Sequence, residues 1–365
     1  VVLVGLAAAH AGAVAGDGVA PSGAVPMSAW PAALRACAEL RLDAERLACF
    51  DAAVQEAGLR APKAGAAAAS DAPDAGPAWG SGTLKASPPA GVVGAGSYLA
   101  ALWELEPDRK RGTFNFIGYR PNYFLPVRVV SRVNRTPSSP NPLNVAVPLP
   151  AYRSVEAKVQ LSIRTKIAQG LFLPGADLWF GYTQQSLWQL YSTQISAPFR
   201  STDHEPELLY VVPLPAALPA GWTLRMGGLG LAHQSNGQAL PLSRSWNRLF
   251  LLAGVERGEF SLIGRLNQRL SEDPETNDNP DLVDWRGRLD LLAAWTPGLA
   301  TATLQWRTNL DRRGSLQLDW TFPVDTARPA GLRYYVQAFT GYAETLLDYN
   351  FRQASIAAGV TLFGW

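Results

Sequence analysis

From about residue 112 to its end, the chain repeats one texture. Short runs of alternating apolar and polar residues are separated by clusters of Gly, Pro, Asn and Asp. Alternation with period two puts successive side chains on opposite faces of a strand, and such clusters mark turns. TFNFIGYRPNYFLPVRVV, SVEAKVQLSIRTKI, ADLWFGYTQQSLWQLY, PELLYVVPLP, GWTLRMGGLGLAHQS and SRSWNRLFLLAGVE open the series. FSLIGRLNQRLS, DLVDWRGRLDLLAAWT, ATATLQWRTN, GSLQLDWTFPV, GLRYYVQAFTGYAE and FRQASIAAGVTLFGW complete a set of twelve. Most are near ~10 residues, the length that a tilted barrel strand needs to cross a bilayer. An even count is expected of a bacterial outer-membrane barrel. The last segment ends on Trp365, with Phe363 on the same face.

Composition sharpens this picture. Charged residues are 17% and aromatics 10% of the 365, with twelve Trp and a net charge of +2. Soluble proteins carry roughly a quarter charged residues. Past the N-terminus no apolar run approaches the ~20 residues of a transmembrane helix. A closed barrel reconciles the two, because lipid accepts β-structure only when no strand edge is unpaired. The predicted fold is an all-β, twelve-stranded antiparallel transmembrane barrel with a small N-terminal helical extension; a secreted β-sandwich is the alternative. Charged residues such as Lys158 and Arg225 must face the lumen, snorkel or lie near an interface. Nothing in the charge pattern points to nucleic acid.

Ahead of the barrel, VVLVGLAAAHAGAVAGDG is apolar, then small, with Ala-x-Ala sites at Ala9–Ala11 and Ala13–Ala15. It reads as the end of a secretory signal, residues 1–15, or else as the start of a buried helix. Export implies an oxidising compartment for Cys37 and Cys49. On one straight helix they would stand about 18 Å apart, too far to bridge. A disulfide therefore requires a turn, with Asp43 as N-cap of a second helix; the alternative is two free thiols. Residues 16–59 are predicted to form this pinned periplasmic hairpin. Residues 60–98, rich in Ala, Gly and Pro, read as a linker, and 99–365 as the barrel.

Candidate chemistry lies in HQSNGQALPLSRSWNRLF. His233 and Ser235 share strand parity with Leu229 and Leu231, and Asn247 shares it with Leu249, Leu251, Ala253 and Val255. All three then project from the lipid-facing wall unless a bulge intervenes. Polar groups there gain nothing from packing but suit a lipid substrate. A serine needs a base to remove its proton, histidine is the natural base, and a third group must fix its tautomer. An asparagine can do so without placing an unpaired carboxylate near hydrocarbon. The plainer alternatives are a solvated loop, Asn236–Gly237 as a mere turn, and Trp246 as an interfacial anchor. His10 falls in the presumed signal. His204, in STDHEPE, has acids nearby but no second metal-type ligand pattern.

The stretch H-x-S-N-G followed by S-R-S-W-N-R resembles the signature of the outer-membrane phospholipase A family. Further segments agree in order: YRPNYFLP, YTQQSLWQL, SAPFRSTDHEPEL, DNPD and GYAETLLDYNFRQ. The likeness spans roughly residues 100 to 365. It implies a calcium-dependent phospholipase of the bacterial outer membrane, acting on acyl esters of phospholipids and lysophospholipids and activated by homodimerisation. By position, Ser235 would be nucleophile, His233 base, Asn247 orienting group and Gly237 the oxyanion donor. Ca²⁺ ligands would be Ser243 and Gln238 of one subunit and Ser196 of the other, with Asp278 serving the monomer. Gln184 matches a dimer-interface position. Gln238 stands where the family usually has Arg, and Leu240 where an acid can occur. A non-catalytic channel or structural barrel on the same fold is the alternative function.

Overall fold

The computed structural model describes residues 97–363 and, ahead of them, Ala36, Cys37, Leu40, Glu45, Ala48, Cys49 and Ala52. The expected signal over 1–15, most of the hairpin and linker, and Trp365 lie outside the described residues. The chain divides into two compact units, Val1–Ala78 and Trp79–Trp365. In the first, Cys37 and Cys49 both have helical backbone and are joined as a disulfide, so neither thiol is free.

In the second unit a short helix α1, Tyr98–Trp103, comes first, inside the boundary placed at residue 98 for the linker. The Ser97 hydroxyl caps it by accepting from the Ala100 amide at 2.9 Å. Sequence periodicity missed it because six residues make less than two turns. Its apolar side chains, Leu102 and Trp103 among them, are buried with Tyr119, Trp179, Met226 and Phe250 inside the barrel.

Strands β1 (Phe116–Gly118), β2 (Asn122–Val130), β3 (Val155–Gln169), β4 (Asp177–Trp188), β5 (Phe199–Ala217), β6 (Thr223–Ser235) and β7 (Ser245–Arg257) follow. Then come β8 (Phe260–Arg269), helix α2 (Leu282–Arg286), β9 (Leu289–Trp295), β10 (Thr301–Thr308), β11 (Ser315–Pro323), β12 (Arg333–Gly341) and β13 (Gln353–Phe363). Sequential strands pair antiparallel from β2 to β13, and β13 pairs back to β2, closing the ring. Strands β1 and β2 both pair with β3 and form one stave, interrupted at Pro121, which has no N–H to give the ladder. The Asn122 side chain repairs the gap, accepting from the Ser162 amide at 2.6 Å and donating to its carbonyl at 2.9 Å. The wall is therefore a closed barrel of twelve staves, as the alternation predicted.

Two boundaries differ from the sequence expectation. Strand β5 begins at Phe199, so Asp203, His204 and Glu205 are ladder residues rather than loop. DLVDWR forms α2 instead of opening a strand. It ends at Gly287, φ +90°, where a Cβ would lie 2.3 Å from the Thr308 carbonyl carbon; only glycine permits that approach.

The barrel is apolar outside and polar within. Leu251 is 62% exposed and Ile356 65%, whereas Lys158 and Arg128 are fully buried. Lys158 thus faces the lumen. A bulge beside Arg225 lets its Nε reach Glu256 at 2.6 Å. The lumen is held by charge networks, because each buried ion needs partners. Glu344 accepts from Lys158 Nζ at 3.0 Å and from both Arg128 and Gln353. Arg128 also meets Glu156, and Arg200 links Glu156 to Asp348 at 3.1 and 2.8 Å. Burial alone would push the Glu344 carboxyl up; Arg128 and Lys158 overcome it and hold it at about 2.

Removing that carboxylate strands Lys158 and leaves Arg128 with Glu156 alone. Glu344→Ala should cost about 3–5 kcal/mol, read as a lower urea midpoint in lipid vesicles. Because its folded pKa is depressed, the Glu344 contribution is complete above the unfolded value of roughly 4.3 and is lost as pH falls through about 2.

Candidate active site

Strands β6 and β7 are neighbours whose register places His233 directly opposite Asn247 and Ser235 opposite Ser245. Buried residues alternate with exposed ones through this pair. Ala232, Trp246 and Arg248 point inward, while Leu229, Leu231, Leu249 and Leu251 point out. His233, Ser235 and Asn247 share the outward parity, as expected from the sequence. No bulge interrupts the register from Met226 to Ser235. Trp246 is not an interfacial anchor: it is fully buried in the lumen, its Nε1 donating to Gln234 Oε1 at 2.9 Å, beneath the Arg248 and Arg286 guanidinium groups.

His233 Nδ1 lies 2.9 Å from Asn247 Oδ1. An amide oxygen can only accept, so Nδ1 carries the proton and Nε2 keeps its lone pair. The amide is held in this sense by Glu272, whose carboxylate oxygen accepts from Asn247 Nδ2 at 3.1 Å. Glu272 is itself held by Arg269 at 2.7 Å, and the Leu270 amide donates to the Asn247 carbonyl. Sequence reasoning missed Glu272, because a carboxylate in the loop SEDPETNDNPD has no spacing signal. Ser235 stands two residues beyond His233 on the same face, roughly 7 Å along the strand. Among the described residues its hydroxyl donates to no partner; a serine–base contact commonly tightens only with substrate bound.

The β6–β7 connection, residues 236–244, is tied down by the buried Asn236. Its Oδ1 accepts from the Gln238 amide at 3.3 Å and the Arg244 amide at 2.9 Å, and its Nδ2 donates to the Leu242 carbonyl at 2.8 Å. Asn144 and Arg244 donate to the Pro241 and Ser243 carbonyls from below. Gly237 follows at φ +61°, the left-handed region where glycine is unstrained. Gly237 is exposed and stands two residues after the serine.

Ser243 and Asp278 come together, the hydroxyl donating to Oδ2 at 2.6 Å. Gln238 lies in the same loop as Ser243. Ser196 is exposed on the β4–β5 connection and hydrogen-bonds to neither. Among the described residues no three His, Cys, Asp or Glu side chains gather as a metal cluster. A cation here would draw on a carboxylate, hydroxyls and main-chain carbonyls, the hard oxygen donors that suit calcium. Gln184 faces outward on β4, touching Tyr182 and Ser186 only at 3.4 Å.

Two further outward groups are His204, which the sequence offered only as a weak metal ligand, and Tyr182, which it did not single out. On β5, His204 stands opposite both Gln184 of β4 and Ser235 of β6. Its Nδ1 lies 2.8 Å from the Tyr182 hydroxyl. The signal for both was alternation, legible for His204 only once β5 is known to start at Phe199.

Residues 99–362 match the family model described as Phospholipase A1. A Neisseria meningitidis serogroup B protein, which carries the phospholipase A1 name provisionally, is 37% identical over 279 residues, 72% of this chain and 69% of that protein. Phospholipase A1 of Escherichia coli K12 is 35% identical over 211 residues, 58% of this chain and 70% of the enzyme. The solved outer membrane phospholipase A of E. coli superposes with a TM-score of 0.60 at 30% identity, covering 69% of this chain and 99% of that one. A calcium-bound dimer of the Salmonella typhi outer membrane phospholipase gives 0.61 at 30% identity, covering 70% and 94%. An E. coli structure with an active-site asparagine changed to alanine gives 0.61 at 29% identity, covering 70% and 94%.

Losing the Asn236 side chain removes three hydrogen bonds from the loop. At about 1 kcal/mol each, Asn236→Ala should speed amide exchange of residues 236–244 by at least roughly tenfold. The amides of β6 and β7 should be unaffected. Uniform exchange across strands and loop would contradict this account.

Proposed function

This chain belongs to the phospholipase A1 family of outer-membrane barrels, and on that premise we propose that it hydrolyses acyl esters of phospholipids and lysophospholipids. Ser235 is the nucleophile, His233 the general base and Asn247 the orienting group. The observation that carries this reading is the 2.9 Å contact between His233 Nδ1 and Asn247 Oδ1 on an apolar wall, beside the exposed Leu229, Leu231, Leu249 and Leu251. It leaves Nε2 free to take a proton, on the face where the acyl chains of a bilayer lie.

Ser235 Oγ attacks the ester carbonyl as His233 Nε2 takes its proton. Asn247 holds the imidazole and stabilises the charge it acquires, less than an aspartate would. Negative charge grows on the acyl oxygen, and the Gly237 amide is the donor placed next to the nucleophile for it. His233 returns the proton to the leaving alcohol, and water then repeats the sequence on the acyl-enzyme. The solved relative with an altered active-site asparagine supports the role of Asn247.

Ser243, Asp278 and the Gln238 carbonyl suit calcium by their oxygen chemistry, with Ser196 contributed by a second copy. When bound, the ion supplies positive charge that polarises the ester. Because Gln238 is read as a main-chain ligand, its difference from the family arginine is tolerated. The active state is a homodimer, for which the calcium-bound dimer of the S. typhi relative is the support. Gln184, outward on β4 with only long contacts of its own, then meets its symmetry mate, which satisfies an amide that would otherwise lie unpaired in lipid. The barrel resides in the bacterial outer membrane with its longer loops, the active-site end, outside.

Ser235→Ala should lower ester hydrolysis by roughly a million-fold, the usual loss for a triad nucleophile; an active variant would remove the serine from the mechanism. Ser243→Ala should raise the calcium needed for half-maximal activity roughly tenfold or more. Cross-linking in micelles should yield dimers with calcium and few with chelator. Full activity under chelation, or from a strict monomer, would reject the calcium-dependent dimer.

A further inference from the structure

Ser235 has a histidine on each side. His233 precedes it by two residues on the same strand, and His204 faces it across the β5–β6 ladder. Side chains so paired have their Cβ atoms about 5 Å apart. The two rings are held by different kinds of partner. Asn247 Oδ1 accepts from His233 Nδ1 and leaves Nε2 bare. At His204 the partner is a hydroxyl, Tyr182 Oη, 2.8 Å from Nδ1. Among the described residues the other acceptor within reach of that hydroxyl is Gln184 Oε1 at 3.4 Å, a poor distance for an O–H donor. With the tyrosine as the donor, Nδ1 accepts and the single proton of the neutral ring sits on Nε2.

The Nε2 edge borders the turn that follows the nucleophile. A methyl group built on Gly237 would lie 3.8 Å from both Nε2 and Cδ2 of His204. The Tyr182 and His204 rings meet end to end through this hydrogen bond, with their planes 29° apart. The acids flanking His204 in sequence, Asp203 and Glu205, point into the lumen and bond there to the Leu346 amide and to Arg120 and Arg248. They do not compete for the imidazole.

We infer that His204 is a second catalytic histidine, whose Nε2–H donates to the acyl oxygen beside the Gly237 amide. As Ser235 Oγ bonds to the carbonyl carbon, its proton passes to His233 Nε2 and the C=O π pair moves onto oxygen. His204 and Gly237 stabilise that charge, and His204 gives up no proton. When the intermediate collapses, the C=O bond re-forms, the ester C–O bond breaks and His233 protonates the leaving alcohol. The serine is thus served by one imidazole as base and another as electrophile. This rests on the Ser235–His233 assignment above.

The test uses the full chain refolded in calcium-containing micelles. His204→Ala should lower kcat by roughly 10²-fold, the loss of one oxyanion donor, with KM changed by less than about threefold. His204→Gln, which restores an N–H donor, should recover roughly tenfold of that loss. An alkylboronic acid, which mimics the tetrahedral intermediate at serine, should bind more weakly to His204→Ala by a factor close to the loss in kcat. Tyr182→Phe should show a smaller fall in kcat, because the ring is then free to carry its proton on either nitrogen. An unchanged kcat in His204→Ala, a loss confined to KM, or no recovery in His204→Gln would overturn the inference. A dead Ser235→Ala protein alongside a fully active His204→Ala protein would reject His204 alone. Activity surviving in Ser235→Ala would instead reject the serine assignment beneath it.

Discussion

Hydrocarbon offers no hydrogen bonds, and that one constraint organises the molecule. Every backbone amide in the wall must find its partner in the wall, so the staves close on themselves. Where Pro121 cannot donate, the side chain of Asn122 substitutes for the missing rung. The same constraint sorts side chains. Whatever is charged turns inward, and a lumen filled with charge must then satisfy itself, as Glu344 does for Arg128 and Lys158. An ion pair of this kind is a weak source of stability but a strong penalty on any arrangement that separates it.

Polar groups left on the outer wall stand out against that background. His233, Ser235, Asn247, His204, Tyr182 and Gln184 lie on four adjacent strands, β4 to β7, at the end where β6 and β7 are joined by a well-anchored loop. Each imidazole is oriented by a neutral partner, an amide in one case and a phenol in the other. Neutral partners suit a surface facing lipid, where an unpaired carboxylate would be costly. The one carboxylate involved, Glu272, approaches Asn247 from the loop, where it is paired with Arg269.

Parity made most of the wall legible before any coordinate. The alternation of Leu229, Leu231, His233 and Ser235 needs only the geometry of an extended chain to place all four on one face. Trp246 shows the same logic and its neglect: if Asn247 faces out, Trp246 must face in. Helices α1 and α2 escaped notice because five or six residues carry too little periodicity to compete with the strand pattern around them. The early start of β5 was hidden because its outward residues there, Thr202 and His204, are polar, and its inward ones, Asp203 and Glu205, are charged.

The sequence by itself determined the number of staves, the outward faces of β6 and β7, and the candidate serine, histidine and asparagine, since all of these follow from local alternation and a short motif. Tertiary structure decided which strands lie side by side and in what register. It alone set His204 across from Ser235, Glu272 against Asn247 and Asp278 against Ser243. Those pairs join residues 25 or more positions apart, and nothing in local periodicity encodes the register between strands; that is settled by closure of the ring and the packing of its lumen.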